Sequence, residues 1–272
     1  MLIATGGSLA WTASGNTTAA ITLVLSDETD TTSSQTVTLG GTGAHIVTLG
    51  SGTDTYTYSY SGTGTHGVQT VTATAGTNSI TTLDAADIIT MGTGVDTISS
   101  GAGNDTITVA TANLVSTDTV TAGAGTDTLA LSNAATVVDA DFTLVTGVEK
   151  ISSGNNGLVL TLGSASQAAG LTTVTDGTGV TNVSLGSGHT GDVTVSLSTG
   201  NDTVNATVAS NDLYTGALTV TAAGGSLDGS DTITGGTGSY SYSWSNAATS
   251  NSITNLIANT YSLMCVGRYH HM

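Results

Sequence analysis

Apolar residues recur along this chain with two superposed periods. Within short segments they alternate with threonine or serine, as in Asp96-Thr97-Ile98-Ser99 and Asp105-Thr106-Ile107-Thr108. Such alternation predicts short strands with one face turned inward and one outward. Between segments the apolar position returns every nine residues, giving a comb of Val71, Ile80, Ile89, Ile98 and Ile107. A fixed short period of this kind predicts stacked coils rather than a globular alternation of helices and strands.

The repeat unit is clearest at 91–108, which reads MGTGVDTIS and then SGAGNDTIT, and it returns at 122–130 as AGAGTDTLA. In each copy a spaced glycine pair precedes an aspartate. Gly92 and Gly94 precede Asp96, Gly101 and Gly103 precede Asp105, and Gly123 and Gly125 precede Asp127. Glycine permits the positive φ of a tight turn. Two nonapeptides then make one coil of about 18 residues with a turn at each end, and coils stack about 4.8 Å apart. Aspartates of alternate repeats fall into columns. Asp105 and Asp118 lie 13 residues apart rather than nine, which predicts a four-residue loop within 108–117. One predicted column is Asp87, Asp105 and Asp127; the other is Asn78, Asp96 and Asp118.

Two further repeat pairs are weaker. GTGAHIVTL and GSGTDTYTY at 41–58 place Asp54 in a turn, with His45 at the equivalent place in the preceding unit. The pair at 177–194 keeps the glycines but has Thr181 and Thr190 where aspartate would stand. Between 182 and 212 a ten-residue comb of Asn182, Asp192, Asp202 and Asp212 fits either longer solenoid coils or antiparallel hairpins.

Composition sharpens this picture. The chain has 272 residues, no proline, one cysteine and 37 glycines, and its formal net charge is -17 with only Lys150 and Arg268 basic. Nucleic-acid binding is excluded, because phosphates are neutralised by Lys and Arg. No apolar run reaches the roughly 20 residues of a helical membrane span, so no membrane insertion is expected. One cysteine leaves no internal disulfide. Residues 1–10 lack the basic start of a cleavable signal, so export by another route, or membership of a longer chain, is expected.

A column of carboxylates repels itself when it is poorly solvated. Ca²⁺ is a hard cation that takes carboxylate and carbonyl oxygens, and it resolves the repulsion. The same aspartates would also serve as metal-free Asx-turn caps. The G-x-G-x-D-x-U-x units at 87–130, and more distantly at 41–58, resemble the RTX calcium-binding nonapeptide of secreted bacterial toxins, adhesins and surface-layer proteins. The first of that family's two leading glycines is mostly missing here. The resemblance implies calcium held by Asp87, Asp96, Asp105, Asp118, Asp127, Asn78 and Asp54. It also implies turn positions Gly92, Gly94, Gly101, Gly103, Gly123 and Gly125 around the metal. Residues 235–262, with Tyr240, Tyr242, Trp244, Ile253 and Tyr261, resemble the repeat of SprB-type gliding adhesins and related immunoglobulin-like modules.

Catalytic constellations are missing from the sequence. There is no H-E-x-x-H, no G-x-S-x-G and no phosphate-binding G-x-x-x-x-G-K-[ST]. The glycine pairs lead into strands, which is the wrong context for a dinucleotide. No enzyme is expected.

The expected fold is all-β, with a parallel β-solenoid (β-roll-like) centre and antiparallel or immunoglobulin-like flanks. Four stretches are expected: an N-terminal β module at 1–60, a calcium-binding solenoid at 61–138, an irregular spacer at 139–215 and a terminal module at 216–272. The expected function is that of an extracellular, cell-surface structural protein. It would be stabilised by calcium and would self-assemble into a layer, fibre or adhesin filament. The alternative is an adhesin or virion-fibre module that binds a glycan or cell surface through an exposed patch of Tyr56, Tyr58 and Tyr60.

Overall fold

The computed structural model describes residues 2–3, 9–13, 18–25, 33–110, 113–186, 188–208, 212–214, 216–222, 231–234, 239–241, 261–264 and 266–268. The chain forms two compact units, where the sequence pattern predicts four stretches. The first holds Met1–Ala130 with Leu144–Val148, and the second holds Leu131–Thr143 with Glu149–Met272.

In the first unit the nine-residue comb resolves into two parallel ladders. One runs through Leu2–Ile3, Thr22–Val24, Ile46–Thr48, Thr70–Thr72, Ile88–Thr90, Thr106–Val109 and Thr128–Leu131. The other has seven strands, Leu9–Ala13, Gln35–Leu39, Thr53–Tyr58, Ala75–Thr81, Thr93–Ser99, Thr119–Thr121 and Val145–Thr146. Successive nonapeptides alternate between the ladders, so each ladder receives every second tooth of the comb. Val71 stands opposite Ile89 and Ile89 opposite Ile107 in the first ladder. Ile80 stands opposite Ile98 and Ile98 opposite Val120 in the second. All of these side chains are buried between the ladders. Burying a β-branched or leucine side chain contributes about 1.5–3 kcal/mol, and one is supplied per strand at a fixed place. The outward positions are mostly threonine and serine, with Ile46, Ile88 and Val95 exposed among them.

The second unit repeats the plan with longer coils. Lys150–Ser152, Thr173–Thr175, Val193–Leu197 and Leu218–Ala222 pair in parallel. A five-stranded parallel sheet joins Ala135–Val137, Leu158–Leu162, Thr181–Leu185, Thr203–Asn205 and Thr232–Thr234. Ile151, Val174, Val195 and Val220 line one inner face, and Leu160, Val183 and Val204 the other. From Asn182 to Asp202 the ten-residue comb therefore belongs to a solenoid, whereas its last member, Asp212, lies in a short antiparallel hairpin.

The expected antiparallel or immunoglobulin-like flanks are corrected. Leu9–Ala13 pairs in parallel with Gln35–Leu39, so the N-terminal stretch is coil of the same solenoid. Among the described residues antiparallel pairing is confined to three short contacts. These are Thr207–Val208 with Asp212–Leu213, Leu218–Ala222 with Tyr261–Met264, and Ser239–Ser241 with Val266–Arg268. The physical reason is the continuing alternation. The N-terminal flank still offers an inward apolar column of Leu23, Leu25, Val37 and Leu39, and stacking on the adjacent coil buries it without a second sheet. Most of 235–262, where the SprB-like resemblance falls, lies outside the described residues.

Candidate metal centre

Both predicted columns form. In the first, the backbone N–H of Asp87 donates to Oδ1 of Asp105 at 2.8 Å, and the N–H of Asp105 donates to Oδ1 of Asp127 at 2.7 Å. In the second, Asn78 is in register with Asp96, and the N–H of Asp96 donates to Oδ1 of Asp118 at 2.9 Å. Asp54 joins the second column opposite Asn78. Each carboxyl thus reaches back to the main chain one coil earlier. The step is 18 residues for Asp87–Asp105 and 22 for Asp105–Asp127 and Asp96–Asp118. The predicted four-residue insertion is accommodated ahead of Asp118 with Leu114 buried, and the columns run past it unbroken.

All seven predicted side chains, Asp54, Asn78, Asp87, Asp96, Asp105, Asp118 and Asp127, are buried. The strand alternation explains this, because each aspartate lies two residues before an inward apolar residue and faces the same way. The cost falls on the second oxygen. Oδ2 of Asp87 and Oδ2 of Asp105 are buried with no hydrogen-bond donor. The nearby hydroxyls of Thr82 and Ser100 give their protons to the carbonyls of Ser100 and Ala122, at 2.7 and 2.9 Å. Burial pushes the Asp87 carboxyl up to about 6. The hydrogen bond from Gln69 N–H and the Thr82 hydroxyl beside the carboxyl oppose that rise, and the Asp105 charge adds to it. Burial raises Asp96 and Asp105 as well. These directions are those of carboxylates lacking a counter-charge.

The glycines divide into two kinds. Gly101, Gly103, Gly123 and Gly125 hold positive φ in turns, as the repeat predicts. A Cβ on Gly125 would lie 1.6 Å from the Gly103 carbonyl oxygen, so the turns stack main chain on main chain. Gly94 also has positive φ, but it pairs with Gly76 inside the strand Thr93–Ser99. Gly92 has no positive φ, and its N–H donates to Oδ2 of Asp96 at 3.2 Å. The expectation of one common turn for every glycine pair is corrected at 92–95. There the ladder to Ala75–Thr81 keeps the chain extended.

Among the described residues no three His, Cys, Asp or Glu side chains converge as a metal cluster. A cation here would therefore combine the column carboxylates with turn carbonyls. Such an all-oxygen donor set suits calcium. The buried, donorless oxygens of Asp87 and Asp105 fit that requirement.

Four stretches match the RTX calcium-binding nonapeptide repeat. They are residues 63–98, 72–107, 116–132 and 227–239. RTX nonapeptide repeats bind calcium. The first three contain Asn78, Asp87, Asp96, Asp105, Asp118 and Asp127, whereas Asp54 precedes them. The fourth overlaps the start of the segment likened to SprB-type repeats, and no comparison supports that likeness. No curated protein and no solved structure matches the chain.

The second unit carries a related device that the repeat pattern did not single out. Thr181 N–H donates to Oδ1 of buried Asp202 at 2.8 Å, and Asp202 N–H donates to Oδ1 of Asp231 at 2.8 Å. The sequence signals of this device are the ten-residue spacing of Asp202 and the Asp-Thr-apolar order at 202–204 and 231–233, the latter inside the fourth matched stretch. Tyr56 and Tyr58 are buried, and their hydroxyls donate to Gln69 Oε1 and to the Gly41 carbonyl. The exposed tyrosine patch expected at 56–60 is not formed, because alternation turns both rings to the face that carries Asp54. No helix among the described residues is long and apolar enough to cross a membrane.

Proposed function

We propose that this chain is an extracellular structural element that calcium folds and stiffens, and that it assembles with copies of itself into a surface layer, fibre or adhesin filament. One observation carries the calcium half of the reading. Asp87 and Asp105 are buried carboxyls, each with a donorless oxygen, within stretches that match a calcium-binding repeat. Extracellular placement is supported by the repeat, since RTX repeat proteins are typically secreted. Calcium is plentiful there, and a chain that folds only on meeting it remains unfolded before export.

Assembly is supported by where the charge is absent. The outward positions of the seven-stranded ladder include Thr36 and Thr38, Thr55 and Thr57, Ser79 and Thr81, Thr97 and Ser99, and Thr119 and Thr121, and none of its outward positions is charged. Monomeric proteins normally keep such faces charged and free of flat strand surface. Among the described acidic residues of this unit, Asp54, Asp87, Asp96, Asp105, Asp118 and Asp127 are instead drawn into the columns, and Asp84 alone is exposed. The role is structural rather than enzymatic.

The test is circular dichroism with multi-angle light scattering, in calcium and in chelator. Strand content and particle mass are both expected to rise with calcium. Calcium-independent dichroism would refute the calcium reading. A calcium-loaded monomer that binds a glycan would replace assembly with a binding-module role.

A further inference from the structure

The first column changes chemistry at its N-terminal end. Below Asp127, Asp105 and Asp87 the next two places are Gln69 and His45. Gln69 N–H donates to Oδ1 of Asp87 at 2.7 Å, and Thr70 N–H donates to the His45 carbonyl at 2.8 Å, which fixes the register. Both side chains are fully buried, like the aspartates that they succeed.

They do not leave the turns waiting for a counter-charge. The Gln69 amide nitrogen donates to the carbonyls of Gly43, at 3.3 Å, and Gly67. Its Oε1 accepts the Tyr56 hydroxyl at 2.8 Å. His45 Nδ1 accepts the N–H of Ile21 at 3.1 Å, and its Nε2 lies 3.3 Å from the Gly40 carbonyl. The Tyr58 hydroxyl donates to the Gly41 carbonyl and its ring meets the His45 ring edge-on, with centroids 5.9 Å apart. Amide, imidazole and phenol groups thus occupy glycine-turn carbonyls of the kind that a hard cation would use farther along. Gln69 and His45 also bring no negative charge, since burial holds the His45 imidazole below its ordinary value and therefore neutral.

We propose that, on the side of the first column, the turns at 40–45 and 67–69 form a calcium-independent cap, closed by Gln69, His45, Tyr56 and Tyr58, on which the calcium-dependent coils from Asp87 onward are templated, Asp54 belonging to the second column on the other ladder. This rests on the calcium reading of the columns. A preformed coil end removes the need to nucleate a strand ladder from unfolded chain, so calcium needs only to add coils to an existing edge.

Hydrogen exchange read by mass spectrometry on the whole chain tests it, in calcium and in chelator. In chelator, peptides covering 101–109 and 123–131 are expected to lose protection by about tenfold or more, while 46–48 and 70–72 keep theirs. Gln69→Asp should extend the column of carboxylates, so that protection of 70–72 becomes calcium-dependent. The proposal is overturned if 46–48 and 70–72 lose protection in chelator together with 101–131. It is equally overturned if Gln69→Asp leaves 70–72 indifferent to calcium while 101–131 respond. If 101–131 ignore calcium in the unaltered chain, the calcium reading itself falls, and the cap has nothing to template.

Discussion

The amide N–H of Asp87 donates to Oδ1 of Asp105 at 2.8 Å, one coil farther along. This single bond joins two demands. The carboxyl satisfies a buried main-chain donor, and in doing so it is carried into a place where its own charge is poorly solvated. The fold needs the acceptor and does not need the charge. Asn78 keeps its place in the second column without a charge, with its N–H and side-chain amide both donating to Oδ1 of Asp96, although its own buried Oδ1 accepts no hydrogen bond.

Substitutions at Asp105 should therefore divide by condition. Asp105→Ala removes the acceptor for Asp87 N–H and should cost about 1–3 kcal/mol with or without calcium. Asp105→Asn keeps an acceptor oxygen and drops the charge. In chelator it should match or exceed the unaltered chain in denaturation midpoint, and in calcium it should fall below it. Urea titrations in the two buffers check this. A deficit of Asp105→Asn in chelator would show that the charge stabilises the metal-free coil.

The stacked turns predict a steep penalty at one glycine and a mild one at another. Gly125→Ala sets a Cβ 1.6 Å from the Gly103 carbonyl oxygen in addition to imposing positive φ. Gly154 also has positive φ, but a Cβ there would meet nothing within 4 Å. Gly154→Ala should cost only the left-handed backbone term, about 1–2 kcal/mol. Gly125→Ala should cost more than that and should weaken calcium-dependent folding, because turns 101–104 and 123–126 must part. Thermal melts of the two variants in calcium rank them.

Much of this architecture is legible in the sequence because the period is short and each tooth does one job. Spacing alone assigns Val71, Ile80, Ile89, Ile98 and Ile107 inward, and the 13-residue step from Asp105 to Asp118 locates the insertion. Tyr56 and Tyr58 are harder, because a polar tip suggests exposure. The alternation that buries Asp54 buries them too, and their hydroxyl partners lie 13 and 17 residues away, where a local pattern cannot show them. The same distance hides the role of Gln69. At Gly92 and Gly94, strand pairing with Ala75–Thr81 overrides a local glycine turn signal. The flanks suggest other folds where the repeat loses its aspartates, although the inward apolar column that defines a coil persists.

Asp139 predicts an acid-sensitive contact in the second unit. Its carboxylate accepts the N–H groups of Gly163 at 2.7 Å, Ser166 at 2.8 Å and Ala165 at 3.1 Å, at the start of the helix Ser164–Ala169. Burial pushes this carboxyl up, but the three N–H donors and the Ser166 hydroxyl more than offset it and hold it below the ordinary value. A carboxyl depressed on folding contributes stability that is present above its unfolded value of about 3.9 and is lost as pH falls through the lower folded value. Asp139→Ala should cost about 0.5–2 kcal/mol near neutral pH, the range for a lost N-terminal cap. The gap between variant and unaltered chain should close on acidification. Denaturation curves at several pH values read both effects.

His189 acts in the opposite chemical sense and at higher pH. It is buried, and its Nε2 lies 3.1 Å from the Leu171 carbonyl. Burial pushes the imidazole below its ordinary value, while the Leu171 and Gly191 main chain and the Asp139 charge pull it partly back. The Tyr214 ring, 6.3 Å away, is the other titratable group facing it, and burial holds its phenol protonated. For a base depressed on folding, the unfolded chain takes up the proton first. The stabilising contribution is therefore complete above about 6.5 and is lost as pH falls through the lower folded value. The second unit should weaken as pH drops below about 6.5, before Asp139 begins to titrate. His189→Gln, which cannot be protonated, should flatten that slope. Proton NMR of the His189 ring supplies the folded value directly. A midpoint at or above about 6.5, or an unchanged slope in His189→Gln, would show that this imidazole is not held neutral by its burial.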